Sequence, residues 1–525
     1  MCLTLIQAFA PPNDYDSINY HLAIPIYDLE RGRIDAAWYK GNFAFFPSLA
    51  EHQVRVTLAI AGLKGTQVIT WIFGIFLCIG TYVITYRVSG RKVDAALAVL
   101  LLMSTRIIIG EIATCYVEIQ LACFSVLAYI SYEKLRHNDS RIWGIIFAIA
   151  IAGGVLVKYI AFVIPLCFLP LIVKDLLKNR VSYVNFIIVV LVVILLLAPH
   201  GVKNYYYTAN PIFPLGMSIF NPDIPSAMPS LTQDIFGRER NIINFLRILW
   251  DINILPTHLF DGAMLGSPYY LVFLPFAFFS GNRNLYPLSI IILIYLATWH
   301  WGMTRQVRFL VPIMPFLATI AAIGIFRLSH ICQENIRWFH YFTVGILVLN
   351  QSLFVAIYAA LRIPPAIGIV SVSDYHNKTP TMNGAHYGVC EFINKNLKSG
   401  SSYVSFLVPH SSYCPQSSAI IAPFFPEQYK EYILKHKTPD DLTTNDLAAE
   451  FASRQVEFVA ITTNAEFRSG PNSAPSYEEL DISLGTGNMG KKVKKALENI
   501  TPIYADKYNA VYSGSEVIKN LSALK

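Results

Sequence analysis

Charge is what this sequence lacks most. Only 14% of its 525 residues are Asp, Glu, Lys or Arg, against about 25% in an ordinary soluble protein. That excludes a water-soluble globule with a conventional polar surface. Cysteine is also scarce, eight in all, with no Cys-x-x-Cys pair and no Cys/His spacing of a structural zinc site. No tandem repeat and no long low-complexity segment breaks the chain. The one Gly- and Lys-rich run, GTGNMGKK (485–492), lacks the spacing of a phosphate-cradling Walker loop. The formal net charge is +7, but its basic residues fall in short loops between apolar runs. A nucleic-acid partner is therefore not expected, and anionic lipid headgroups are.

What is present is apolar length. Hydrophobic residues make up 54% of the chain, and runs suited to a hydrocarbon layer about 30 Å thick occur near 67–87, 93–110, 114–132, 142–157, 159–173, 183–199, 268–280, 285–301, 308–327 and 339–361. The expected fold is mostly α: a polytopic transmembrane helical bundle of about 10–11 spans over 1–361, followed by a small α/β soluble domain over 362–525. Residues 1–10 (MCLTLIQAFA) read as the end of a shortened first helix. A cleaved signal peptide is disfavoured, because no basic region precedes the run and no small-residue cleavage site follows.

Lys and Arg in short loops mark the cytoplasmic side. Arg87, Arg91 and Lys92, then Lys134, Arg136 and Arg141, then Lys174, Lys178 and Arg180, then Arg283, then Arg327 and Arg337 are each separated by an even number of spans. This register puts 11–66, 106–114, 200–267, 302–307 and the tail after about 362 on the opposite, extracytoplasmic face. In the tail, HYGVCEFINKNLKSG has helical period and ends at Gly400, while SSYVSFLV, VEFVAITT and YNAVYSG read as strands. Stretches near 468–476 and 485–495 read as exposed loops. Cys390 and Cys414, the two cysteines of the tail, either pair in an oxidising compartment or stay as free thiols. Cys332 falls in a proposed cytoplasmic loop, and Asn377, Asn499 and Asn520 sit in glycosylation sequons on the outer side.

The chemistry is sought in the loop 11–66, where Asp14 and Asp16 stand two residues apart beside a bilayer surface. Such a pair is placed to deprotonate an incoming hydroxyl or to hold a cation, a divalent metal such as Mg or Mn included. The plainer alternative is that Asp16-Ser17 caps a helix, and that Asp28, Glu30 and Asp35 are solvated or capping. Lys158 interrupts an apolar stretch; it faces a polar cavity, pairs with an acid such as Glu118, or snorkels. Arg305 and Arg308 bracket the outer start of a helix, and either grip a phosphate or anchor the interface. Glu111, Glu118 and His21 complete the polar groups facing that side.

The runs DYDSINYHLAIPIYDLERGRI and FFPSLAEH resemble the first extracytoplasmic loop of bacterial GT-C-type membrane glycosyltransferases, related to protein O-mannosyltransferases and lipid A aminoarabinose transferases. In those families an Asp, commonly followed by Glu, opens the loop; Asp16 matches it and Ser17 replaces the Glu, which moves the second acidic role to Asp14 or Glu118. TCYVEIQLACF resembles the acidic start of the fourth helix, and GGVLVKYIAF, with Lys158 and Tyr159, a glycine-lysine-aromatic break. KNYYYTANPIFPL resembles a loop usually opening Arg-Asn, with Lys203 in place of the Arg, and RFLVPIMPFLA a late helix opening on a basic-aromatic pair.

The resemblance implies transfer of a sugar from a polyprenyl-phosphate donor to a lipid, glycan or protein acceptor, by a multi-pass protein of the cytoplasmic (inner) membrane whose tail is periplasmic. It implies Asp16 as catalytic base, with inversion, and Lys158, Arg308, Arg305 and Lys203 as holders of the departing phosphate. A transporter or flippase of a lipid-linked sugar is the alternative from another class. Against it stand the absence of inverted repeats and the one-sided placement of every large polar segment.

Overall fold

The computed structural model describes residues 1–222, 236–255, 259–260, 267–331, 334–378, 386–407, 411–421, 442–463, 488–506 and 508–524. Three short helices, α1 (Cys2–Gln7), α2 (Ala23–Arg31) and α3 (Leu49–Ala61), open the chain. Then come α4 (Val68–Ser89), α5 (Lys92–Met103), α6 (Arg106–Glu111), α7 (Glu118–Asn138), α8 (Arg141–Val157), α9 (Val163–Leu177) and α10 (Tyr183–Thr208). After the short α11 (Met217–Phe220), α12 (Ile242–Leu246) and α13 (Ile248–Ile254), the bundle is completed by α14 (Pro268–Phe278), α15 (Leu285–Gly302), α16 (Met314–Ile331) and α17 (Glu334–Ala366).

Every apolar run expected to span is helical, but not all are uninterrupted spans. Among the described residues six segments are long and apolar enough to cross a membrane: Leu63–Ser89, Tyr159–Leu177, Tyr183–Thr208, Leu285–Gly302, Val307–Ile331 and His340–Ala366. Arg141–Val157 and Pro268–Phe278 are shorter apolar helices. The run expected over 93–110 breaks at Ser104 and Thr105. Their hydroxyls bond back to the carbonyls of Leu100 and Leu101 and reach the Tyr269 and Tyr270 hydroxyls of α14 at 3.0 and 2.7 Å, so side chains compete with the helical ladder there. The chain is a multi-pass integral membrane protein.

The helices are not equivalent. The apolar window of Val307–Ile331 is 89% buried within the protein and that of Tyr183–Thr208 only 11%, so α16 is the hub and α10 faces lipid. Thr85 of α4 and Thr319 of α16 join by a 2.8 Å hydroxyl bond, and α14 packs closely along α16. Gly324 makes that approach possible: a Cβ there would stand 2.0 Å from the Phe273 carbonyl oxygen. Small residues at membrane helix crossings act in this way.

The tail holds a five-stranded mixed sheet of β1 (Ser402–Phe406), β2 (Ala419–Ile421), β3 (Val456–Thr462), β4 (Tyr504–Ala505) and β5 (Asn509–Ser513), in the order β2-β1-β3-β5-β4. β1 pairs β2 and β3 in parallel, and β5 pairs β3 and β4 antiparallel. Alternation assigns its two faces. Val404, Val459 and Tyr512 pack on one side with the helices Thr444–Ser453, Asn488–Leu497 and Gly514–Ala523. Tyr403, Ala460 and Val511 pack on the other with Tyr387–Asn396.

Part of the stretch read as an exposed loop near 485–495 is that second helix, Asn488–Leu497, because Met489, Val493, Ala496 and Leu497 recur at helical spacing and are buried. The loop expected at 468–476, the Asn377 side chain and Cys332 lie outside the described residues. Cys390 and Cys414 form a disulfide. The Asn520 amide donates to the Ala496 carbonyl at 2.8 Å, so that sequon's side chain ties two helices together.

Gly324→Ala should destabilise the bundle by about 1–3 kcal/mol or more, since a backbone oxygen rather than a movable side chain occupies the space. A fall in the thermal midpoint of the detergent-solubilised protein, followed by tryptophan fluorescence, checks this.

Candidate active site at the mouth of the bundle

Four charged side chains from distant parts of the chain form one alternating row. Asp16 stands at the head of a single π-turn, Ser17–His21; Arg308 lies on the 3-10 segment Val307–Ile313 that leads into α16. Glu118 is the first residue of α7, and Lys158 is the residue at which α8 ends, with extended φ −160° and ψ 137°. Arg308 Nη1 donates to Asp16 Oδ2 at 2.6 Å, its Nε lies 3.9 Å from Glu118 Oε1, and Lys158 Nζ donates to the same oxygen at 2.7 Å. Two acids and two bases balance, which is how charge is tolerated where Glu118 is 1% exposed.

Local sequence sets each position. α8 comes close to α7 because Gly153 has no Cβ to meet the Phe124 ring, and this brings the end of α8 to the start of α7. Glu118 Oε2 also accepts from the Val117 backbone N–H at 3.2 Å. Gln306 holds Arg308 Nε at 3.0 Å, and the guanidinium lies 5.1 Å from the centre of the Tyr116 ring. Asp16 does not cap the helical turn that follows it. Ser17, which stands where the resembling families carry Glu, accepts from the Cys115 N–H at 3.2 Å.

The two aspartates are driven apart. Burial alone would raise the Asp16 carboxyl, but Arg308, Lys158 and His21 outweigh it and hold the group below the ordinary carboxylate value. Asp14 goes the other way: burial raises it, Arg362 of α17 offsets this only in part, and the nearby Asp16 charge raises it further. Asp14 Oδ1 accepts from Arg362 Nη2 at 3.3 Å, while its Oδ2 is buried with no hydrogen-bond partner among the described residues. One carboxyl is kept ionised and its neighbour is biased toward the neutral form, the pattern of an acid–base pair with separate roles. A metal fits poorly: each aspartate faces its own arginine, and among the described residues no three His, Cys, Asp or Glu side chains converge as metal ligands.

Residues 57–209 match the family model described as dolichyl-phosphate-mannose-protein mannosyltransferase. The crystal structure of ArnT from Cupriavidus metallidurans bound to undecaprenyl phosphate aligns with a TM-score of 0.63 at 12% identity, covering 98% of this chain and 96% of that one. Its apo form aligns equally, with a TM-score of 0.63 at 11% identity over 98% and 97%. An Archaeoglobus fulgidus oligosaccharyltransferase gives 0.46 at 12% identity over 88% and 69%. Comparison with curated proteins gives no match. The chain shares the fold of this membrane-embedded ArnT over nearly its whole length. The family-matched segment carries Glu118 and Lys158 but neither Asp16 nor Arg308, so the row joins residues from inside and outside it.

Other candidates stand apart from the row. Arg305 turns to the neighbouring loop, where it donates to the Arg238 carbonyl and lies against Gly237. Lys203 Nζ reaches the Ala44 carbonyl at 3.4 Å. The Tyr159 hydroxyl bonds His200 Nε2 at 2.8 Å and donates to the Phe213 carbonyl at 3.1 Å, and Asn204 donates to the Phe45 carbonyl at 2.9 Å. These residues pin the end of α10 to the aromatic segment Trp38–Phe45. His21 Nδ1 bonds Glu51 Oε1 of α3 at 2.6 Å. Glu111 is buried on α6, whose Gly110 carbonyl accepts from Arg362 at 3.1 Å. Asp28, expected to be solvated or capping, is buried and paired with Arg55.

Sequence reading passed over Arg362. Its only signal was a lone cation closing the last apolar run. It also passed over the tail's hold on the acidic loop. The Ser412 N–H donates to the Ile18 carbonyl, and the Tyr413 hydroxyl to the Pro12 carbonyl, each at 2.8 Å. Glu30, expected on the solvated or capping side, accepts from the Ser417 N–H at 2.7 Å.

Lys158→Met leaves Glu118 buried without its closest partner and should cost about 3–5 kcal/mol, whereas Lys158→Met with Glu118→Leu should recover most of that loss. Unfolding of both variants in one detergent measures the coupling. The pH dependence of kcat/KM for sugar transfer tests Asp16. With its carboxyl held below the ordinary carboxylate value, wild type should show no Asp16 acid limb above the ordinary carboxylate range. In Arg308→Gln the largest opposing charge is gone, so the residual activity should fall on acidification at a higher pH than in wild type.

Proposed function

We propose that this protein transfers a sugar from a polyprenyl-phosphate donor to a hydroxyl or amine acceptor on a lipid, glycan or protein, at the extracytoplasmic face of the bacterial inner membrane. The observation that carries the reading is the Asp16–Arg308–Glu118 contact at the mouth of the bundle, one cation held between two carboxylates. Support for the donor class comes from the mannosyltransferase family match and from the shared fold with an ArnT that binds undecaprenyl phosphate. The face of action rests on the Lys and Arg asymmetry of the loops, and the Cys390–Cys414 disulfide suits an oxidising compartment. Residues 362–525 are assigned to a separate extracytoplasmic domain that steadies the acidic loop.

In this mechanism the donor phosphate oxygens compete with the carboxylates for Arg308 and Lys158. As Arg308 turns toward the phosphate, Asp16 loses the partner that holds its carboxyl low, and burial makes it a better base at the moment it is needed. The acceptor O or N attacks the anomeric carbon and passes its proton to Asp16. The bond from that carbon to the phosphate oxygen breaks with inversion, and the polyprenyl phosphate leaves with its electron pair, stabilised by Arg308 and Lys158. Glu118 is the carboxylate that both cations share.

The test is transfer by the purified protein from a panel of radiolabelled polyprenyl-phosphate sugars to a membrane-lipid extract. Asp16→Asn should lower the rate by about 10²–10⁴-fold without loss of donor binding. Equal transfer by wild type and variant would remove Asp16 from the chemistry, and donor translocation without transfer would point to a transporter.

A further inference from the structure

At the end of the bundle opposite the Asp16–Arg308 row, the ends of α4, α7 and α9 and the start of α15 enclose a cavity of about 670 Å³. The 21 residues of α7, at about 1.5 Å each, separate the two places by about 30 Å. Six cations line the cavity, Arg87, Lys134, Arg136, Lys174, Arg180 and Arg283, against two carboxylates, Glu133 and Asp175.

Both carboxylates are already engaged. Arg136 holds Glu133 at 2.9 Å and Asp175 at 3.2 Å, Arg180 stands 3.9 Å from Asp175, and the Tyr132 hydroxyl donates to Asp175 at 2.6 Å. Arg87, Lys134, Lys174 and Arg283 have no ion-pair partner among the described residues. A preference for basic loops on one side of a membrane puts cations on this face, but it does not gather four uncompensated ones, from the ends of α4, α7 and α9 and the turn before α15, around one cavity. The same wall continues into apolar side chains, Val88, Leu171 and Ile290, so the cavity offers positive charge at the surface and hydrocarbon contact beneath it.

We propose that this cavity binds the phosphate-ester headgroup of an anionic membrane lipid. Lys134, Lys174, Arg87 and Arg283 surround the phosphate, and Leu171 and Ile290 take the first carbons of an acyl chain. The chemistry that selects the ligand is a phosphate anion next to an apolar tail. The site lies at the opposite end of the bundle from the proposed sugar-transfer site and stands or falls independently of it.

Native mass spectrometry of the full chain in detergent, titrated with phosphatidylglycerol or phosphatidylcholine, provides the test, with inorganic phosphate as a soluble competitor. Wild type should retain phosphatidylglycerol in preference to phosphatidylcholine. Lys134→Ala/Lys174→Ala/Arg283→Ala should weaken that binding at least about tenfold, and the charge-keeping Lys134→Arg/Lys174→Arg/Arg283→Lys should preserve it. Unchanged binding in the alanine variant, or equal loss in the charge-keeping variant, would overturn the site. Displacement of the lipid by millimolar inorganic phosphate would overturn the lipid and assign the cations to a soluble phosphate ester.

Discussion

The site hangs on one guanidinium. Arg308 joins a carboxylate near the N-terminus of the chain to another at the head of α7, and it sits where the most buried helix of the bundle begins. A cation in such a place needs compensation, and Asp16 and Glu118 supply it. Lys158 in turn compensates Glu118. Each charge in the row is therefore tolerable only because its neighbour is there, and the four elements that carry them are fixed relative to one another.

This explains why the surrounding architecture is so heavily braced. α17 reaches the acidic loop through Arg362 and Asp14, α3 through Glu51 and His21, and the tail through Ser412, Tyr413 and the 411–417 segment fastened at Cys414. A short segment with little apolar contact of its own would not otherwise hold one geometry against its chain entropy. Bracing also separates the two aspartates chemically, since the stronger cationic surroundings belong to Asp16 and the weaker to Asp14.

The helical bundle could be read from apolar length, and the acidic loop from two carboxylates beside a membrane surface, because both are local properties of the chain. The possible Glu118–Lys158 pair was also legible, as one of the ways to pay for a lysine in an apolar run. Other readings failed where they depended on a distant partner. Capping, the plainer alternative for Asp16, gives way to Arg308, 292 residues away, which takes its oxygen. Asn488–Leu497 looked like a loop because its Gly and Lys content hid a narrow apolar stripe that only packing against the sheet uses. Arg305 and Arg308 are indistinguishable as neighbours in sequence, yet they face different parts of the fold.

The sequence by itself determined that the chain is a helical membrane protein, which segments are apolar, and in which short loops Lys and Arg gather, since hydropathy and charge act residue by residue. The tertiary structure alone decided which carboxylate meets which arginine, that the surroundings shift Asp14 and Asp16 in opposite directions, and that four cations close on one cavity at the other end. Coulomb energy depends on distances between side chains, and those distances are set only when the helices pack.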